Sequence, residues 1–460
     1  MSHATVSQLV DLVPELRTQF PALRRTHAGH PVVYLDGPAG SQVPQSVIDA
    51  IANYYHHHNA NRGGKFDTSR ESDQLMNAAH RIAADWFGTE DPDEVIFGAN
   101  MTTLTFQFSR ALARTWKPGE RIVVTQLDHD GNVTPWRLAA QDAGVDVSQI
   151  RVNQADATLD LDHFSELVKP GVKLVAVTCA SNSVGSKTPI KQLISIAHAA
   201  GAEVYLDAVH WAPHCLIDVV DWNADYCVCS AYKFFGPHVG LLWGRKSRLQ
   251  ALTPYKLRPA PMQSPGKWMT GTQNHAAICG AAAAIEYVAG IGEQLVSGKE
   301  IPTNRGPQQP ERRSLKPEST RRTALRTAFN AIEAYERSLA VRLINGLQAI
   351  QGVTVYGIVD ATQTGQRVPT VAMNIHGLTS AVAAEKLAER GIFCWHGDFY
   401  AVDICQALGQ QPAGMIRLGL MHTNTMDEVH QTLESIRSLA NSSHSTIQNI
   451  SEGQLPERRN

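Results

Sequence analysis

Short apolar runs alternate with stretches of helical periodicity along most of the 460-residue chain. Residues 94–97, 121–125, 172–178, 204–206 and 226–229, with a run near 150–152, are too short for helices and predict strands, most of them buried on both faces of a parallel sheet. Between them, residues 44–57, 70–87, 133–143 and 189–200 predict helices. An amphipathic helix over 7–26 and a short strand over 32–36 precede the series. Strand, loop, helix, repeated, is the order of a doubly wound, mainly parallel α/β sheet, which binds ligands beyond the carboxyl ends of its strands. An alanine-rich helix over 275–290 predicts close packing. Residues 297–322, with four prolines and many charges, predict a flexible insertion. A long helix over 323–350, strands over 353–358, 368–375 and 414–420, and helices over 379–390 and 426–440 predict a small α/β domain. The expected division is an N-terminal helical arm (1–30), a large domain (31–296), the insertion (297–322), a small C-terminal domain (323–440) and a disordered polar tail (441–460).

Composition narrows the partners. A net charge of −2 gives no general attraction to nucleic acid or to an anionic membrane, which leaves a small molecule. The N-terminus lacks a basic region followed by an apolar run, and no stretch of membrane-spanning length is free of charge, so a cytoplasmic protein is expected. Seven cysteines, an odd number scattered through apolar segments, make no disulfide framework. Cys227 and Cys229 flank Val228 and so share one strand face, as packing. His56, His57 and His58 cannot share one helical face, and no metal site is expected there.

The candidate chemistry gathers at strand ends. Residues 204–206 deliver Asp207, and the run at 226–229 ends in Ser230-Ala231-Tyr232-Lys233 before a turn at Gly236-Pro237. A lysine among aromatics loses its proton more easily than in water, and a neutral amine forms a Schiff base with an aldehyde. A carboxylate keeps a pyridine nitrogen protonated. The pair therefore looks like a pyridoxal-phosphate site. Singly, each residue reads as a surface lysine or a capping aspartate; their order and the intervening turn favour the cofactor. The turn at Gly98 opening a helix at Met101-Thr102 is an anion site, with Thr102 as phosphate ligand, though a threonine there is also a simple cap. His129, at another strand end, is placed to stack on the cofactor ring and relay protons. Asn182 is placed to bond the phenolic oxygen or a substrate carboxylate. The small-residue turn at 37–41, with Ala39, lets backbone N–H groups approach a carboxylate. The basic loop around Arg62 suits an anionic group or a subunit contact.

With these residues placed, roughly residues 30–440 resemble a class V aminotransferase-family enzyme of pyridoxal-phosphate fold type I, in the cysteine desulfurase and selenocysteine lyase branch. The resemblance rests on Tyr34-Leu35-Asp36, Asn61-Arg62-Gly63, Asn100-Met101-Thr102, Asp128-His129 with Asn132 and Pro135-Trp136, Ser181-Asn182, Asp207 with His210, Ser230 to Lys233, Gly271-Thr272 and Arg417, all in register. It implies pyridoxal 5'-phosphate as cofactor, with Lys233 bonded to its aldehyde, Asp207 on its ring nitrogen and His129 stacked on the ring. It implies that Thr102, Ser230 and, from a second subunit, Thr272 hold the phosphate. It places Met101 and Tyr232 beside the cofactor and His210 where a residue bonding the phenolic oxygen stands. Arg417 takes the substrate carboxylate, with Ala39, Arg62 and Asn182 near the substrate, in a homodimer with shared sites.

Two departures bear on function. Tyr232 precedes the lysine where a histidine is common. Tyr400 stands where the branch carries the cysteine that accepts persulfide sulfur, and a phenol cannot carry a persulfide. Cys394 and Cys405 flank it as packing residues, and Trp395 stands where related enzymes often carry another arginine, which points to a less anionic or larger substrate. The leading expectation is carbon–sulfur bond cleavage in an amino acid, as a lyase or a desulfurase. Transamination and epimerisation on the same fold remain open, as does a non-catalytic scaffold, which would need neither Lys233, Asp207 nor Arg417.

Overall fold

The computed structural model describes residues 3–297 and 318–451. Helix α1 (His3–Thr18) is shorter than its periodicity predicted, because Phe20 is extended and Pro21 opens a separate 3-10 turn. After β1 (Val33–Tyr34), α2 (Gln45–Asn53) and α3 (Asp67–Phe87) come β2 (Val95–Gly98), α4 (Met101–Ala113), β3 (Arg121–Thr125), α5 (Thr134–Ala143) and β4 (Asp146–Ile150). The series continues with α6 (Leu161–Leu167), β5 (Val172–Thr178), α7 (Ile190–Ala199), β6 (Glu203–Asp207), β7 (Tyr226–Ser230) and β8 (Gly240–Gly244).

The seven strands β2 to β8 form one sheet in the order β2-β8-β7-β6-β5-β3-β4. Only β8 runs antiparallel, to both β2 and β7; the remaining pairings are parallel. This is the expected doubly wound α/β sheet. Successive strand residues enter two different cores, as a period of two requires. Val204 and Leu206 of β6 pack with α3 and the helices α9 (His275–Ser297) and α10 (Glu318–Gln348), whereas Tyr205 packs with α4 and α5. Cys227 and Cys229 both face the first core, as their alternation predicted. Helix α9 is long and apolar enough to cross a bilayer, but most of it is buried inside the protein, as in a core helix.

The second sheet is antiparallel, in the order β9 (Val353–Tyr356), β10 (Thr370–Ile375), β13 (Met415–Gly419), β12 (Trp395–Gly397). It carries α11 (Ser380–Ala388), α12 (Val402–Ala407) and α13 (Met426–Ser451), with β11 (Ile392–Phe393) beside it. Strand β11 pairs in parallel with β1, Ile392 opposite Val33, and Asp36 forms a bridge with Gly419. The turn at 37–41 is thereby tied to the C-terminal elements. A Cβ on Gly419 would come within 1.9 Å of Pro38 Cδ, so this turn lies on β13 because position 419 has no side chain.

Two expectations need correction. The last residues of the predicted insertion are helical: Arg321 pairs with Glu286 (2.8 Å) and with Asp85, and Arg322 with Asp218 (3.0 Å), so charges that read as solvated are neutralised at the base of α10. Residues 298–317 lie outside the described residues. Helix α13 continues to Ser451, through half of the predicted tail, past the buried Leu439 and Ala440 and a hydrogen bond from Ser443 Oγ to the His376 carbonyl (2.9 Å). Residues 452–460 are not among those described.

Candidate active site

Strands β3, β5, β6 and β7 end around one cavity of about 290 Å³, at the edge where an open α/β sheet places its ligand. Thr102, His129, Asn182, Asp207, His210, Ser230, Tyr232 and Lys233 all line it, with Met101 at its wall.

At one end stands the N-terminus of α4. Asn100 caps it by accepting from the Thr103 N–H (2.8 Å), and Ser230 Oγ accepts from the Met101 N–H (2.9 Å). Thr102 lies between them, where the first-turn N–H groups and the positive end of the helix dipole favour an anion.

His129 follows β3 in a loop held from below. Asp128 is fully buried, takes hydrogen bonds from Thr125 and from Asn132 Nδ2 (2.7 Å), and Asn132 in turn accepts from Trp136 Nε1 (2.9 Å). His129 Nδ1 accepts from the Gly131 N–H (2.9 Å). Burial first, then the positive charges of Lys233 and Arg417, lower His129 to about 4. The ring is neutral, its proton therefore sits on Nε2, and only that atom is free to relay one.

Asp207 ends β6 with Oδ1 accepting from the Val209 N–H (2.8 Å). Burial raises it to about 6, against that backbone hydrogen bond and the nearby Lys233. A protonated ring nitrogen would supply the positive partner it lacks. Lys233 Nζ donates to the carbonyls of Pro38 and Ala39, the latter at 3.0 Å, so the turn at 37–41 holds the lysine, while its Ala39 and Gly40 N–H groups, expected to face a ligand carboxylate, donate to the Asp36 carbonyl (2.7 and 3.2 Å). Burial, then the Arg417 charge, lowers Lys233 to about 7, with Asp207 and Asp36 opposing. Asp36 itself is raised to about 6, mainly by burial.

Arg417 projects from β13, 4% exposed, and donates to the Asn182 carbonyl (2.9 Å). Its Nε is buried with no hydrogen-bond partner, and burial lowers the guanidinium to about 9. Two cavity residues share that condition: His210 bonds Thr370 Oγ1 through Nε2 (2.8 Å) but leaves Nδ1 unpartnered, and Asn182 leaves Oδ1 unpartnered. Buried polar groups are normally satisfied. Unpartnered ones facing a cavity that also holds an anion site, an acidic group and a depressed lysine fit a phosphorylated, aromatic, aldehyde-bearing cofactor.

Thr272 and Arg62 do not join this cavity. They line a separate one of about 770 Å³, where Arg62 is tied to Asp73 (2.9 Å) and Asn77 (3.1 Å).

The loop that carries Tyr400 packs against His129 of the cavity wall and against Arg417. The Tyr400 ring stacks on His129 (centroids 5.6 Å, planes 26° apart), and the Phe399 ring lies 4.3 Å from the Arg417 guanidinium carbon. The loop is latched to the large sheet by Asn182 Nδ2 to the Phe399 carbonyl (3.0 Å) and the Asp130 N–H to the Tyr400 carbonyl (2.6 Å). Phe399 and Tyr400 have φ of 60° and 56°, a left-handed backbone that costs non-glycine residues roughly 1–3 kcal/mol each and persists where surroundings over-determine it. Cys394 and Cys405 are both pushed up to about 12, burial being the main cause, and Cys405 is packed beneath the loop with Sγ 3.8 Å from the Asp398 carbonyl. Neither is a thiolate at neutral pH. Each of the other five cysteines is raised by burial as well.

The aminotransferase class-V profile matches residues 33–303 and 323–432. The chain belongs to the aminotransferase class-V family. Enzymes of this family are pyridoxal-phosphate-dependent, and the cavity fits that cofactor. A cysteine desulfurase of Serratia proteamaculans is 27% identical over 442 residues, covering 93% of this chain and 98% of that protein. A cysteine desulfurase of Haloferax volcanii is 31% identical over 319 residues, covering 63% of this chain and 74% of its own. Among solved structures, an apo cysteine desulfurase from Thermococcus onnurineus NA1 superposes with a TM-score of 0.79 at 24% identity, over 93% of this chain and 98% of that one, which shows the shared fold.

Within this class-V site, sequence reasoning missed Asp36, His238 and Phe399. Asp36 was seen only as a strand end; its place beside Lys233 and Arg417 comes from the bridge to Gly419. His238 lines the cavity and stacks on Tyr232 (4.9 Å, 14°), a contact across the turn at Gly236-Pro237 that periodicity does not reveal.

Proposed function

We propose that this class-V enzyme cleaves the carbon–sulfur bond of a sulfur-containing amino acid and does so without carrying a persulfide. The observation that carries this reading is the loop at 398–401: a tyrosine stacked on His129, with Cys405 buried, Cys394 half-buried and both thiols far from ionising.

Thr102, Ser230 and the α4 N-terminus would hold the cofactor phosphate, Asp207 its ring nitrogen, His210 Nδ1 its phenolic oxygen and Lys233 its aldehyde. Bound there, the cofactor supplies a sink for the electron pair released at the substrate Cα. Arg417 receives the substrate carboxylate through its unpartnered Nε, a charge-assisted hydrogen bond for which the fork geometry is suited. Lys233, a neutral amine above about pH 7, takes the Cα proton at Nζ. The Cβ–S bond then breaks with its electron pair on sulfur, and the proton held by Lys233 completes the thiol. The 2-aminoacrylate left behind takes up water and yields pyruvate and ammonium. In a desulfurase the sulfur would instead pass to an enzyme thiol and alanine would leave; the two thiols nearest the Tyr400 loop, half-buried Cys394 and buried Cys405, are both held protonated at neutral pH.

A second copy of the chain supports the site in this reading. Arg62 and Thr272 lie together on a separate surface cavity, where a partner chain could bring its own Lys233 cavity against them. Seven free cysteines fit a reducing compartment such as the cytoplasm.

Absorbance between about 300 and 500 nm tests the site. Wild type is expected to show a visible band that Lys233→Ala loses, and to release sulfide from cysteine or the persulfide of cysteine from cystine. A wild-type protein that shows no band after incubation with pyridoxal phosphate would overturn the assignment.

A further inference from the structure

Aromatic side chains gather around Arg417 and around His129 on the cavity wall. Strand β12 pairs with β13 so that Trp395 stands directly opposite Arg417, and directly opposed residues of an antiparallel pair present their side chains to the same face of the sheet. Trp395 is 52% exposed and Tyr400 72% exposed, so both present ring surface to solvent beside a buried cation. Phe399 covers one face of the Arg417 guanidinium at 4.3 Å, which leaves the N–H edge for a carboxylate. Tyr400 lies on His129, a wall of the cavity, and both its backbone groups are fixed: its N–H donates to Asp398 Oδ1 (3.0 Å) and its carbonyl accepts from Asp130. A substrate whose α-carboxylate sat on Arg417 and whose Cα sat by Lys233 would bring a substituent on its sulfur toward these rings, which flank Arg417 and His129.

We propose that Trp395, Phe399 and Tyr400 form an aromatic rim that selects amino acids whose Cβ sulfur carries a flat apolar substituent, in preference to free cysteine. The inference rests on the carbon–sulfur lyase reading and names its substrate class. Phe399 acts as a positioning residue through Arg417, whereas Tyr400 and Trp395 meet the substituent. For an S-aryl cysteine the Cβ–S bond breaks, the electron pair goes to sulfur, the Cα proton passes by way of Lys233 to the leaving arylthiol, and water converts 2-aminoacrylate to pyruvate and ammonium. No oxidant or reductant enters.

The test separates binding from chemistry. Calorimetric titration of the cofactor-loaded enzyme with 3-(phenylsulfanyl)propanoate and with propanoate, acids without the amine needed for reaction, reads the rim directly. The aryl acid is expected to bind about tenfold tighter to wild type, the scale of one aromatic stack. Tyr400→Ala shrinks that ratio to about twofold, Tyr400→Phe keeps it, and Phe399→Ala weakens both acids alike without changing it. Equal binding of the two acids by wild type, or an unchanged ratio in Tyr400→Ala, overturns the rim. Product analysis with S-phenylcysteine is read separately. Thiophenol and pyruvate released without a binding preference uphold the lyase and sink the rim; a preference without thiophenol upholds the rim and sinks the lyase.

Discussion

The floor of the cavity and its lip are built by different rules. At the floor, Asp207 and Lys233 sit at the ends of β6 and β7, strands buried on both faces, and their hydrogen bonds run to backbone groups: the Val209 N–H for the aspartate, the Pro38 and Ala39 carbonyls for the lysine. At the lip, Phe399 and Tyr400 hold a left-handed backbone, Tyr400 is largely exposed, and the loop is fastened by Asn182 and Asp130 from the other sheet. In the proposed reaction the floor would set which bond at Cα is weakened, because it would hold the cofactor and the base. In the same reading the lip would set where the sulfur goes, because its residues would stand next to the leaving group.

The comparison can be broken at the floor first. Lys233→Ala is expected to abolish the visible band and lower turnover by at least about 1,000-fold, the range of a lost acid–base group; a variant that kept the band would remove Lys233 from the site. Arg417→Ala should lower kcat/KM by roughly 100-fold, most of it in KM, because a charged hydrogen bond to the substrate carboxylate is lost. Steady-state kinetics showing the loss confined to kcat would reassign the arginine. At the lip, Tyr400→Cys places a thiol where the desulfurase branch has one, and should make alanine appear beside pyruvate among the products from cysteine, at roughly a tenth of the turnover or more. Pyruvate without alanine would mean that the floor, not the lip, chooses the product. The smallest effect is in pH. Capture of pyridoxal phosphate by the apo-enzyme needs the neutral amine, so its rate should rise with pH and level off above about 7. Arg417 is a positive neighbour that disfavours the ammonium, so Arg417→Gln makes the proton easier to keep and should move that midpoint upward in stopped-flow records.

Most of the floor was legible in the sequence and most of the lip was not. Asp207 and Lys233 could be read because an apolar run shorter than a helix has one place to end, and the end of a parallel strand is where ligands bind. Thr102 and His129 followed from the same logic. Two strands were harder: the edge strand β4, with Asp146, Ser148 and Gln149, has no apolar run because one flank faces solvent, and the interior strand β8 lies between glycines only a few residues after Lys233. The pairing of β1 with β11 joins residues far apart in sequence, and no local periodicity encodes it. The turn at 37–41 was expected to offer N–H groups to a carboxylate, yet its carbonyls hold Lys233. Phe399 over Arg417 depends on a left-handed backbone that aromatic residues rarely adopt, so nothing in the residue type announces it. Helix α13 ran past its predicted end because periodicity fades before helical backbone does.

The most direct measurement is the fate of the carbon skeleton when the cofactor-loaded enzyme turns over cystine and cysteine. Carbon–sulfur cleavage without a persulfide predicts pyruvate and ammonium in equal amounts, no alanine, and an unmodified mass for the protein trapped during turnover. Alanine formed in step with a mass increase of one sulfur on Cys394 or Cys405 would contradict it.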